Sequence, residues 1–485
     1  MTERLKNYIG GKWKESKSEE FKEVNNPATD KVIAEVPLST ENEVDEAVNV
    51  AKKAFEKWRN TSVTRRTEPL FKLVQVLKDN KENVARILTK EHGKTYGSAL
   101  GEMDRTIQMV EGACATLESN KGEFTENISK DIDEYSVRRP LGVFAHIAPF
   151  NFPAMVPWWY APWAIAVGDT FILKASEQCP MTQQKIFELI DDELDLPRGV
   201  INLINGGKDV GEMLISNPDI EGITFVGSTN VGKKIYSEAA KNGKRVQCQT
   251  GANNFLVVMP DANLEKIMPN MMNSCFGNAG QRCLAGSIVL GVGDIYETLE
   301  KTFIRYAKDQ KIGYGLDEQM DMGPVVSKKS LKKLHSDIET GIKEGGKLLL
   351  DGRNVKVEDH PDGYFLGPTV FNAKKGMKIF DEEIFGPVVC MDKVDTLEDV
   401  ITMINDDRYG NAATIYTEKG GAAREFRNKI NIGNVGVNIG VVAPMAYYPF
   451  GGMKDSFFGD LHGQSKDIVN FFADRQIVIR RWMEK

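Results

Sequence analysis

The stretch FGNAGQRCLAG, residues 276–286, sets an arginine and a cysteine inside a run of small residues. A cysteine is a nucleophile as its thiolate, a form favoured by a nearby cation or by oriented backbone amides. Arg282 precedes Cys283, although side chains adjacent in sequence need not face the same way. Cys283 therefore reads either as a reactive thiol or as a small apolar filler. Cys275, in the helix-like run NMMNSCF, reads as packing.

Three further groups are candidates for chemistry. Asn151 sits among apolar residues in IAPFNFPAMVPWW, where a buried amide must find partners; it either pins a loop or donates to a developing oxyanion. Lys174 and Glu177 leave the apolar run TFILKASE at the end of a strand, where open parallel sheets bind ligands. A carboxylate there can hold a ribose hydroxyl and would repel the extra phosphate of NADP. GITFVGSTNVGKKIY fits a phosphate loop through Gly227, Gly232 and Lys233, but Lys234 stands where a Ser or Thr would hold magnesium. What survives is a glycine-bearing strand-to-helix turn, whose amides bind phosphate without a metal. A plain tight turn accounts for it equally well.

The elements that position these residues alternate. Helical spacing in ENEVDEAVNVAKKAFEKWR and in EPLFKLVQVLKDNKENVARILTKEHGK is followed by short apolar strands at 142–149, 170–176, 199–206, 222–228 and 254–260. Helical segments separate several of them, which predicts an α/β architecture with parallel sheets. Further strands are expected at GKLLLDG and PVVCMDKV. The polar, alternating segment 123–140 and the tail 471–485 look peripheral, and either pair with each other, pair with a neighbouring subunit, or form a hairpin and a fraying end.

A chain of 485 residues exceeds one compact core and predicts two or three domains. Its net charge of −7 argues against a nucleic-acid binder. Six cysteines without CxxC or Cys/His zinc spacing suggest reduced thiols in the cytoplasm and no metal site. The N-terminus shows no apolar signal segment. From Leu141 to Leu173 there is no Lys, Arg or Glu, yet four prolines break the stretch, so it reads as a buried strand-loop-helix passage rather than a membrane span.

Five ordered motifs, PFNFP (149–153), KASE (174–177), GSTNVG (227–232), GQRC (280–283) and EEIFGPV (382–388), resemble the aldehyde dehydrogenase superfamily over nearly the whole chain. The resemblance implies a doubly wound NAD-binding domain (1–122 and 140–249), an α/β catalytic domain (250–462) and a small β oligomerisation arm (123–139 and 463–485). It implies Cys283 as nucleophile and Asn151 as oxyanion donor. Phe150, Lys174, Glu177, Gly227, Ser228, Glu383 and Phe385 would bind NAD, with Glu383 and Phe385 placing the nicotinamide ribose and ring. A homodimer or homotetramer is expected.

One departure from that pattern is informative. Hydrolytic members carry a glutamate 34 residues before the nucleophile, and here that place holds Gln249, in QTGAN. A neutral amide cannot take a proton from water, whereas a thiol cosubstrate needs less help. With NFPAMVPWW, FGNAGQRC and the tail 443–463, this most closely resembles the CoA-acylating methylmalonate-semialdehyde dehydrogenases. These convert malonate or methylmalonate semialdehyde to acetyl-CoA or propionyl-CoA with loss of the carboxylate. Arg105 and Arg282 would then hold the substrate carboxylate, as paired guanidinium donors can. Ala175 and Asn253 replace the usual proline and lysine of their motifs. The expected enzyme therefore uses NAD and coenzyme A through a Cys283 thioester. Its rivals are a hydrolytic semialdehyde dehydrogenase, with Glu383 as a substitute base, and a catalytically silent homologue.

Overall fold

The computed structural model describes residues 3–483; residues 1–2 and 484–485, the latter the end of the predicted arm, lie outside that range. The helix Glu41–Trp58 shows how local sequence sets an element. Thr40 and Glu43 close a capping box at its start, and Val44, Ala47, Val48, Ala51 and Phe55 form one buried stripe. The helix Lys81–His92 ends at Gly93 in a left-handed conformation, and Thr95 caps the next helix, Tyr96–Cys114.

Two large sheets carry the molecule. The first has eight strands, and at its centre Val143–Ile147 is flanked by Thr170–Lys174 and Ile201–Ile204 on one side and by Ile220–Val226 and Arg245–Gln249 on the other. These five are parallel, so the chain winds outward one way, returns across the centre and winds outward the other way. That reversal leaves a crevice at the carboxyl ends of the strands, where such sheets take ligands. Antiparallel additions close both flanks. Asn7–Tyr8 and Trp13–Lys14 cover one, and Phe457–Phe458 pairs with Arg245–Gln249 at the other. Phe457–Phe458 thus joins the first sheet although it falls in the range 250–462 assigned by sequence to the second domain.

The second sheet has seven strands in the order Lys347–Leu350, Thr369–Asn372, Val388–Val394, Gly286–Val292, Asn254–Val258, Ala412–Tyr416 and Asn434–Val437. All neighbours are parallel except the first pair. Only residues 250–253 separate the last parallel strand of sheet one from the first strand of sheet two. The carboxyl edge of one sheet is therefore held against the amino edge of the other, and the loop carrying Cys283 enters the second sheet at that edge.

The apolar passage 141–173 is two fully buried strands around a 3-10 turn, Val156–Trp159, and the short helix Ala161–Val167. Among the described residues no helix is long and apolar enough to cross a membrane. The two peripheral segments pair with each other: Ala473–Arg481 runs antiparallel to Ile132–Pro140, which also pairs with Phe124–Ser129. This separate three-stranded sheet exposes Phe124, Ile128, Ile477 and Ile479.

Phe144, fully buried in the central strand, packs edge-on against Phe472 (ring centres 4.7 Å apart, 86°), and so ties the first sheet to the helix that leads into the Ala473–Arg481 strand. Phe144→Ala is expected to cost about 3–5 kcal/mol, as for other large-to-small changes in a core. Thermal unfolding and amide exchange check this. A lower Tm with faster exchange over 473–481 is expected, and an unchanged Tm contradicts it.

Candidate active site

Cys283 stands in a turn that the backbone reaches only by passing through the left-handed region. Asn278, Ala279 and Gly280 all have positive φ, at 59°, 50° and 68°. Gly280 has no alternative, since a Cβ there would lie 2.0 Å from the carbonyl oxygen of Gly386. The carbonyl of Cys283 accepts Nδ2–H bonds from Asn254 (2.9 Å) and Asn411 (2.7 Å), at the amino edge of sheet two. Gln281 ties the turn further, its Oε1 accepting from the Val326 N–H at 3.0 Å.

Asn151 reaches this turn from sheet one. Its Nδ2 donates to the Gln281 carbonyl at 3.2 Å, and its own carbonyl accepts from Lys94 Nζ (2.8 Å) and Asn278 Nδ2 (3.3 Å). Asn151, Cys283, Glu383 and Phe385 line one cavity of about 410 Å³, together with Thr250, Gly251 and Gly227. Phe385 sits at φ 57°, a conformation that a bulky residue adopts only when its surroundings impose it. Its ring meets Phe150 edge-on at 5.8 Å.

Pro149, Phe150 and Ser228 also line a second cavity, of about 940 Å³, which continues along the carboxyl ends of sheet one past Lys174 and Glu177. Lys174 Nζ lies 3.4 Å from Glu177 Oε2. Burial works to raise the Glu177 carboxyl, but Lys174, the residue's own backbone N–H and Lys22 together outweigh it and hold the group below its usual range. Gly227 is required by close approach, since a Cβ would sit 2.4 Å from the Phe225 ring. Ser228 occupies the cap position of the helix Thr229–Lys241, but its hydroxyl makes no bond to the helix and remains available at the cavity wall. Lys233 and Lys234 are both paired with carboxylates, of Asp455 (2.9 Å) and Glu212 (2.6 Å). The crevice at the sheet's reversal thus offers a carboxylate for ribose hydroxyls and a helix N-terminus for a diphosphate, which fits a dinucleotide.

The two arginines lie apart from this cavity wall. Arg282 is half-buried and donates from Nη1 to the Asn273 carbonyl at 3.0 Å, while its buried Nε–H has no acceptor among the described residues. Burial lowers its pKa to about 10. Arg105 points at the tail, contacting the carbonyls of Ala443 and Pro444 and the sulfur of Met445. Ser274 Oγ donates to the Gly440 carbonyl, so the same tail segment spans from the helix that anchors Arg282 to the helix that carries Arg105. Neither arginine is in a salt bridge among the described residues.

The three departures each have a local account. Gln249 is buried and gives its Nε2–H to the Phe450 carbonyl at 3.0 Å. Asn253 donates to the Phe380 carbonyl at 2.7 Å, just ahead of Glu383. Ala175 is simply packed. Lys94, Glu102, Asn254 and Asn411 escape sequence reading, because nothing in their spacing marks them; Asn254 alone adjoins a motif.

The sequence pattern of the aldehyde dehydrogenase family matches residues 13–478. The chain belongs to the aldehyde dehydrogenase family. A malonate-semialdehyde dehydrogenase of Geobacillus kaustophilus is 45% identical over 480 residues, 99% of each chain. A putative methylmalonate-semialdehyde dehydrogenase of Sinorhizobium meliloti, solved in complex with NAD, superposes with a TM-score of 0.98 at 38% identity, covering 100% of this chain and 99% of that one. A methylmalonate-semialdehyde dehydrogenase structure from Oceanimonas doudoroffii gives 0.98 at 37% identity over the same shares. The expected α/β fold of this family is the one observed, and the chain is an enzyme of it.

The surroundings of the Cys283 thiol oppose its ionisation. Burial, and then the Glu383 carboxylate, push the thiol up to about 12, against smaller downward effects of its own backbone N–H and Arg282. Burial in turn raises Glu383 to about 7, although the Ala252 N–H at 2.9 Å favours its charged form. Below that value Glu383 is neutral and leaves the thiol alone; above it the carboxylate repels the thiolate. Glu383→Gln is therefore expected to speed iodoacetamide alkylation of Cys283 by about threefold or more at pH 9 and to change nothing at pH 5.5. Peptide mass spectrometry reads both rates, and an unchanged rate at pH 9 contradicts the coupling.

Proposed function

We propose that this enzyme oxidises malonate or methylmalonate semialdehyde with NAD and passes the acyl group from Cys283 to coenzyme A, with loss of the substrate carboxylate. The observation that carries the acyl-transfer reading is Gln249. At the place where a hydrolytic relative has its base, this chain has an amide already committed to the Phe450 carbonyl. Two half-buried guanidiniums without a counterion among the described residues, Arg105 and Arg282, favour a substrate that brings its own carboxylate. The names of the relatives agree with that substrate class.

In this reading the Cys283 sulfur attacks the aldehyde carbon. The oxyanion is met by Asn151 Nδ2–H and the backbone N–H of Cys283, donors held in place before the charge develops. Lys174, Glu177, Gly227 and Ser228 hold the adenosine and diphosphate end of NAD, while Phe150, Glu383 and Phe385 hold the nicotinamide end. NAD, when bound, supplies the two-electron acceptor that turns the thiohemiacetal into a thioester. Attack by the coenzyme A thiolate then forms a new thioester and returns Cys283 as thiolate, with no base required at residue 249. The β-carboxylate leaves the acyl thioester as CO₂, which water converts to bicarbonate; the C–C electron pair passes into the thioester enolate, whose carbon then takes a proton from water. The cytoplasm fits six cysteines that are all unpaired. The apolar outer face of the Phe124–Ser129 and Ala473–Arg481 strands suits burial in a homodimer or homotetramer.

One observation favours a second reading. Glu383 shares the Cys283 cavity and its carboxyl is raised to about 7, the range in which a general base works near neutrality. A hydrolytic enzyme would use it to activate water.

Steady-state NADH formation from each semialdehyde, with and without coenzyme A, separates the two. Turnover that continues only with coenzyme A, yielding acetyl- or propionyl-CoA by mass spectrometry, is expected. Equal turnover without it, yielding a free acid, overturns the acyl-transfer reading and leaves Glu383 as the base to test.

A further inference from the structure

Beneath the active site lies an ion pair with no exposed part. Lys94 and Glu102 have side-chain exposures of 1% and 0%, and Lys94 Nζ bonds Glu102 Oε2. Lys94 sits between the left-handed Gly93, which ends one helix, and Thr95, which caps the next; Glu102 lies nearly two turns into that second helix. Replacing such a pair by apolar side chains is often neutral or stabilising, so its presence alone is no argument from stability. What distinguishes this pair is where its remaining bonds go.

All of them go to one irregular segment, 151–155. Lys94 Nζ donates to the Asn151 carbonyl at 2.8 Å and stands 4.3 Å from the centre of the Phe152 ring. Glu102 Oε1 accepts from the N–H groups of Ala154 (2.8 Å) and Met155 (3.1 Å). Pro153 removes one backbone donor from the same stretch. Lys94 is itself immobilised. The Tyr96 N–H donates to Gly315 O at 2.7 Å, and Gly315 passes so close that a Cβ there would lie 2.3 Å from the Lys94 carbonyl oxygen. The clamp is therefore referenced to the second sheet's side of the molecule, while the segment it holds belongs to the first.

We propose that Lys94 and Glu102 are positioning residues for the Asn151 amide, fixing the main chain of 151–155 so that Nδ2 meets the oxyanion formed at Cys283. This rests on the reading of Asn151 as the oxyanion donor. The pair touches neither substrate nor cofactor; it acts by removing the freedom of the donor's backbone. A donor displaced by a fraction of an ångström loses much of its effect on a developing charge, because the geometry must be right before the charge appears.

The test is the single-turnover NADH burst from malonate semialdehyde in a double-mutant cycle. Lys94→Met together with Glu102→Gln removes both charges at once, and the glutamine keeps an acceptor for Ala154 and Met155, so no lone buried charge is left. Asn151→Ala is expected to slow the burst by about a hundredfold, the loss typical of one oxyanion donor. The paired Lys94→Met/Glu102→Gln change is expected to slow it about tenfold with the half-saturating NAD concentration unchanged. Added to Asn151→Ala, the pair is expected to slow it less than twofold further, because there is no longer a donor to position. The same tenfold loss in the Asn151→Ala background would show a general structural effect and overturn the proposal. So would a paired variant with an unaltered burst beside a slowed Asn151→Ala. An Asn151→Ala burst as fast as that of the unmodified enzyme would remove the donor reading itself, and the proposal with it.

Discussion

The Cys283 turn is held through the carbonyl oxygen of Cys283, which accepts amide bonds from Asn254 and Asn411 at the amino edge of the second sheet. A three-residue left-handed turn can persist only if something outside the turn fixes it, since each non-glycine residue there is held in a sparsely populated conformation. The two asparagines, with Gln281 and the tight pass of Gly280 over Gly386, supply that restraint. Asn254 is the first residue of its strand and follows Gln249 by five positions. The short link between the sheets therefore sets Cys283 opposite the crevice of the first sheet, and the rest of the site follows from that juxtaposition.

Electrostatics divide the site into two regions of different character. Around Glu177 the carboxylate is favoured, because Lys174, the residue's own backbone N–H and Lys22 together outweigh its burial. Around Cys283 and Glu383 both groups are pushed toward their neutral forms. The arginines form a third region beyond the Cys283 cavity, bridged by the tail segment that contacts the helix carrying Arg105 and the helix to which Arg282 is bonded.

Much of the fold was legible because most of the parallel strands are short continuous apolar runs, as buried parallel sheets require; Arg245–Gln249, half polar and followed directly by another strand, was not among them. The strand Val143–Ile147 and its neighbours lie where that pattern predicts. Phe457–Phe458 joined the first sheet unforeseen, since two residues of edge pairing carry no periodicity. At the site, Cys283, Asn151, Glu383 and Phe385 were visible because contiguous motifs carry them, and one cavity brings them together. Lys94 and Glu102 were not, because a buried lysine and glutamate look like surface charges until their neighbours are known. The placement of Arg105 against the tail was equally illegible, as it depends on a contact more than 300 residues away in sequence.

The claim that most of this account rests on is that Cys283 carries the acyl group between oxidation and transfer. Its most direct test is peptide mass spectrometry on enzyme quenched with acid after one turnover with NAD and malonate semialdehyde, before any coenzyme A is added. One hydroxylamine-labile acyl group on the peptide containing Cys283, in proportion to the NADH formed, is the predicted result. NADH formed in full while that peptide stays unmodified would contradict it.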